Sequence, residues 1–139
     1  GYLSKRITEI PGASQVFEYG VCTYANRIKE EVLGVSSQTL EQYGAVSKKT
    51  AVEMARGVRR VSGAEIGVSV TGIAGPDGGT PEKPVGLVYV AVDSELYGEV
   101  LELKLARGYH NDRELIRYVA ASHALNLVIK AAKQLPDRR

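Results

Sequence analysis

Ser14, Tyr24 and Lys29 are the residues of this chain whose types and spacing could do chemistry. A serine hydroxyl is a weak nucleophile until a base takes its proton. A lysine amine can serve as that base only if burial lowers its pKa from the usual value of about 10.4. Lys29 falls in a stretch, Tyr24 to Leu33, that reads as a helix ended by Gly34. At about 100° per residue, Tyr24, Ala25, Ile28, Val32 and Leu33 cover one half of the wheel. Lys29 lies inside that apolar arc, between Ala25 and Leu33. Ser14 follows Pro11-Gly12-Ala13 at the start of a short helical segment, where free backbone N–H groups could receive an oxyanion. Tyr24, just before the lysine, could relay or orient a proton. Each residue also has a plainer reading. Ser14 suits a helix N-cap, and Lys29 could snorkel its amine to the surface. Spacing alone does not choose between the two.

Other chemistries find less support. Two histidines and one cysteine share no metal-ligand spacing. A Cys22–His110 pair is conceivable, but nothing in the sequence brings the two together. No Gly-x-Ser-x-Gly elbow is present, so a serine–histidine triad has no anchor. His123 sits on an apolar helical stripe and reads as a hydrogen-bonded core histidine. A loop rich in glycine and proline, 72–84, could turn backbone N–H groups on a small anion. It could equally be a rigid connection between strands. Neither the P-loop nor the Gly-x-Gly-x-x-Gly fingerprint occurs.

The elements that must position these residues are legible in outline. Tyr2–Ile10 reads as a helix stopped by Pro11-Gly12, and Glu18–Thr23 alternates like a strand. Helices follow at Ser36–Tyr43 and after Ser47, which caps a stripe of Ala51, Met54, Ala55 and Val58. The runs Ile66–Val70 and Val85–Val92 read as strands, the second buried on both faces. Glu99–Leu105 alternates as a strand with one wet face, which suits an antiparallel neighbour. Asn111 or Asp112 would cap a long last helix, Arg113–Leu135. These elements predict an α/β fold, a three-layer α/β/α arrangement of helices on a mixed sheet.

The totals agree with one domain over 1–139. Hydrophobic residues make up 44% and charged residues 24%, and the net charge of +2 is spread along the chain, which gives no footprint for nucleic acid. No apolar run is long enough for a membrane helix. A single cysteine excludes an internal disulfide and fits a reducing, cytoplasmic setting. The chain opens Gly1-Tyr2 rather than with Met, so a truncated piece is expected.

Several blocks, taken in order, resemble a known family. They are Pro11-Gly12-Ala13-Ser14, Val21 to Lys29, Leu33-Gly34-Val35, Gly44-Ala45-Val46-Ser47, Thr71 to Gly79, Lys83-Pro84-Val85-Gly86 and Asp112-Arg113. The chain is similar over nearly its whole length to the C-terminal domain of competence/damage-inducible protein CinA. That domain is also found alone as nicotinamide-nucleotide amidohydrolase. The resemblance implies hydrolysis of the carboxamide of nicotinamide mononucleotide to nicotinic acid mononucleotide and ammonia, with no metal or organic cofactor. It implies Ser14 as nucleophile, Lys29 as its base and Tyr24 beside them. Thr71, Gly72, Gly75 and Arg113 would serve the substrate, with Arg113 and the Gly72–Gly75 backbone as candidates for its phosphate. The family's habit also implies a homo-oligomer. Family members carry Ala-Glu-Ser-Cys-Thr-Gly-Gly just before the first helix here, so a preceding helix, strand and site serine are expected to be missing. Ala13 stands where the family often has Ser. The competing expectation is a nucleotide-binding or regulatory module that keeps the pocket and lacks turnover. A further one is a sound fragment that cannot close its site.

Overall fold

Strand β2, Leu87–Ser94, is the wall on which two separate cores are built. In the computed structural model, which describes residues 1–106 and 113–137, six consecutive β2 residues from Leu87 to Val92 are buried. Successive strand residues face opposite sides of a sheet, so this run must be covered twice. Val88, Val90 and Val92 pack with Ile116, Ala120, Ala124, Leu127 and Ala131 of α5, Arg113–Gln134. Leu87, Tyr89 and Ala91 pack on the other side with Ala51 and Ala55 of α4, Lys48–Ser62. Small alanines on both helices let them lie close to the sheet. The α/β fold and its three layers are therefore as expected.

The sheet has the order β1-β2-β3, with β1 at Ile66–Gly72 and β3 at Gly98–Lys104. Register runs from Ile66↔Ser94 to Gly72↔Val88 and from Leu87↔Lys104 to Asp93↔Gly98. Both pairings are antiparallel, which corrects the expected mixed sheet. Each strand is joined to the next by a hairpin-type connection, and no parallel crossover lies among the described residues.

Before the sheet come α1 (Tyr2–Thr8), a 3-10 turn (Ala13–Gln15), α2 (Asn26–Leu33) and α3 (Ser37–Tyr43). Leu33, Val35, Leu40 and Met54 form a third cluster that fixes α2 and α3 on α4. Ser47 caps α4 as its sequence suggests, its Oγ accepting from Thr50 N–H at 3.0 Å. Gly34 closes α2 in the left-handed conformation.

Two local expectations fail. The alternating stretch 18–23 forms no strand. Gly20 lies against Ser4 and Phe17, so the segment folds back on the chain before it, with no neighbouring strand to pair among the described residues. Ser14 is not a cap either. Gly12 opens the 3-10 turn, no side chain caps it, and Ser14 lies within the turn. The expected cap at Asn111 or Asp112, and His110, lie outside the described residues. His123 is half-buried on α5.

Candidate active site

Lys29 is buried, and this decides between the two readings of its helix. Only 6% of the residue is exposed, so its amine does not snorkel out. Helix α2 begins at Asn26 rather than Tyr24, and the chain before it is extended. That extended entry turns two main-chain carbonyls toward the lysine. Its Nζ donates to Thr23 O at 2.7 Å and to Tyr24 O at 3.3 Å. Burial pushes the Lys29 pKa below the ordinary lysine value, and the nearby Tyr24 phenol partly opposes the shift. Lowering by burial is the change a lysine base needs.

Tyr24 lies at the junction of the site. Its main chain holds Lys29, and its ring is 86% exposed, with the phenol oxygen accepting from Arg113 Nη2 at 3.2 Å. The same guanidinium donates through Nη1 to Gly75 O at 2.9 Å. Three sequence-predicted residues far apart in the chain, Tyr24, Gly75 and Arg113, thus meet at one place. Lys29 joins them through the Tyr24 backbone. Arg113 can reach there because it is the first residue of α5, which the sheet core holds along its length.

The loop from Ile73 to Gly86 supplies a second feature. Its base is closed by Ile73 N–H to Leu87 O and Gly86 N–H to Ile73 O. Gly75 is buried at positive φ and packs on Val85, where a Cβ would come within 2.5 Å of Val85 Cγ1. The backbone N–H groups of Ala74, Gly75, Asp77, Gly78 and Gly79 donate to no acceptor among the described residues. Unpaired amides in a turn are donors an anion can use where they converge. The sequence pointed to the glycines at 72, 75, 78 and 79 for this purpose, and the free amides run from Ala74 to Gly79 among them.

Three expected residues are not part of this meeting point. Thr71 is buried on β1, and its hydroxyl donates to Ala45 O at 2.7 Å, in the turn between α3 and α4. Gly72 ends β1, with its Cα facing Val88 of the next strand. Ser14 Oγ is exposed and has no hydrogen bond among the described residues, so it does not contact Lys29 here. No three His, Cys, Asp or Glu side chains converge among the described residues. No helix of the described residues is long and apolar enough to cross a membrane.

Comparison with known proteins bears on the family and the fold. The chain is 49% identical over 138 residues to a CinA-like protein of Desulfovibrio desulfuricans, covering 98% of this chain and 32% of that protein. It spans about a third of the length of the curated relatives it matches. Among solved structures, the competence/damage inducible protein CihA of Agrobacterium tumefaciens superposes with a TM-score of 0.90 at 40% identity, covering 95% of this chain and 79% of that one. A CinA superfamily protein of Escherichia coli gives 0.85 at 29% identity, covering 94% and 73%. The family model for the CinA C-terminal domain matches residues 1–132. The chain belongs to the CinA C-terminal domain family.

Proposed function

We infer that this chain is an amidohydrolase that converts nicotinamide mononucleotide and water to nicotinic acid mononucleotide and ammonia. The observation that carries the reading is the buried Lys29 amine, held by the backbone of the same tyrosine whose phenol meets Arg113. In the proposed reaction the neutral Lys29 amine takes the proton of Ser14 Oγ, and the oxygen attacks the carboxamide carbon. The oxyanion is received by the N–H groups of Gly12 and Ser14, which donate to no acceptor among the described residues. Collapse of the tetrahedral intermediate expels ammonia, which leaves with the proton returned by Lys29. Water, activated by the same amine, then cleaves the acyl ester and frees Ser14.

The substrate's phosphate suits the other half of the site. Arg113 offers a fixed cationic fork, and the loop amides from Ala74 to Gly79 offer unpaired donors. Thr71 and Gly72 would shape the floor of that seat. Ser14 and Lys29 must come together when substrate binds, since catalytic hydrogen bonds commonly tighten only in the complex. A second copy of the chain is the proposed setting of the site.

The test is release of ammonia from nicotinamide mononucleotide by the wild-type chain and by Ser14→Ala and Lys29→Ala. Loss of release in both variants supports the dyad. Full activity in either removes that residue from the mechanism. The free, uncoupled Ser14 favours one second reading, a nucleotide-binding module without turnover. Saturable nucleotide binding with no ammonia from the wild type would select it.

A further inference from the structure

The turn after α3 presents three consecutive main-chain carbonyls, and each is claimed by a side chain from a different element. Tyr43 O accepts from Lys83 Nζ, Gly44 O from Thr50 Oγ1 at 2.7 Å, and Ala45 O from Thr71 Oγ1 at 2.7 Å. Thr50 belongs to α4 and ties the turn to the body. Thr71 belongs to β1. Lys83 belongs to the glycine loop, and it is the only one of the three that reaches the turn from a segment without regular structure.

The position is shaped for that ammonium. Gly44 adopts φ +78°, and a Cβ there would lie 2.8 Å from Lys83 Nζ. The acceptor is the last carbonyl of a helix, where a cation is favoured by the unpaired carbonyls and the helix dipole. On the loop side, Lys83 is fixed by its own backbone. Its N–H donates to Thr80 Oγ1 at 3.0 Å, and its carbonyl accepts from Thr80 N–H at 2.9 Å. This small closed turn converts the side-chain tether into a restraint on the segment before it. That segment, 74–79, holds the unpaired amides and the Gly75 carbonyl bound by Arg113.

The loop is therefore held at two points besides its base, by Arg113 on one arm and by Lys83 on the other. We propose that Lys83 is a positioning residue for the substrate, anchoring the glycine loop to the α3–α4 turn so that its free amides keep the geometry of an anion seat. The assignment rests on the proposed function for the identity of the substrate. Lys83 touches no reacting atom. Its removal loosens the seat, which weakens substrate capture more than the chemical step.

Lys83→Met, which keeps the stem and deletes the donor, tests the assignment, with Lys83→Arg as the donor-bearing control. In ammonia release from nicotinamide mononucleotide, Lys83→Met raises KM about tenfold, the scale of one lost hydrogen bond to a charged group, with kcat within about twofold. Amide exchange at Thr80, Lys83 and Gly86 quickens, the melting temperature holds within about 2 °C, and Lys83→Arg restores KM and exchange toward wild type. The assignment is overturned by an unchanged KM and unchanged exchange in Lys83→Met. It is overturned equally by kcat falling in step with the melting temperature, or by an arginine variant that behaves like the methionine one. Should the wild type release no ammonia, the proposed function fails, and the exchange comparison alone then decides whether Lys83 anchors the loop.

Discussion

Replacing Lys29 by Met tests the centre of the reasoning, because it separates the lysine's charge from its shape. The side chain is 6% exposed and makes two hydrogen bonds, to Thr23 O and Tyr24 O. Methionine keeps the stem and the packing and removes the amine. Its folded-state pKa lies below the unfolded value of about 10.5, because burial disfavours the ammonium. Between those two values the unfolded chain binds more protons than the folded one. The Lys29 contribution to stability therefore rises with pH across that window, by up to about 1.4 kcal/mol per pH unit, and is flat below the folded pKa and above 10.5. For a domain of this length, about 1 kcal/mol corresponds to roughly 3–4 °C in Tm. Heat or denaturant unfolding of wild type and Lys29→Met at a series of pH values reads the difference directly. Wild type should gain on the variant as the pH climbs toward 10.5. Ammonia release by wild type should climb over the same limb as the neutral amine becomes populated, and the variant should lose about 10³-fold or more in kcat. A stability difference that stays level or shrinks with rising pH would refute the depressed pKa. Normal turnover in Lys29→Met would refute the base.

Three other outcomes are expected. Ser14→Ala should abolish ammonia release while shifting Tm by less than about 2 °C, because the hydroxyl is exposed and bonds to nothing described; a large loss of Tm would give it a structural role instead. Arg113→Met should weaken nucleotide binding by about tenfold or more in calorimetry, since it deletes the fork that joins Gly75 O to the Tyr24 phenol; unchanged affinity would place the phosphate elsewhere. Leu127→Ala, at a fully buried position against β2, should cost about 2–5 kcal/mol in denaturant unfolding; a loss below about 1 kcal/mol would contradict the α5 core.

What could be read from the sequence was whatever depends on nearby residues. Lys29 was conspicuous because the 3.6-residue period made its place among apolar neighbours an anomaly, but that place left burial and snorkelling open, and the structure decides for burial. Ser47 and Gly34 marked helix ends because capping is chemistry within one turn. The β2 run, apolar on both faces, foretold two covering layers. Failures came where a partner distant in the chain decides. Residues 18–23 alternate as a strand would, yet alternation provides no neighbour to pair with, and none is found among the described residues. The one wet face of β3 rightly foretold an antiparallel neighbour, whereas the mixed sheet expected overall is antiparallel in both of its pairings. Ser14 failed as a cap because a three-residue 3-10 turn and a true helix start look alike in so short a segment. The meeting of Arg113 with Gly75 and Tyr24 has no local signature at all, and only the resemblance singled out that arginine. Lys83 sat in a recognisable block with no role until its partner carbonyl was seen.

The placement of Arg113 at the tip of α5 has a mechanical consequence. A helix of 22 residues is about 33 Å long, so its first residue stands some 16 Å from its midpoint. Tilting α5 by about 5° about that midpoint would swing the guanidinium roughly 1.4 Å, a displacement of the size that can cost an enzyme about a hundredfold in rate. Volume changes at Val90 or Leu127, deep in the sheet interface, thus act as a fine adjustment on a charge they never touch.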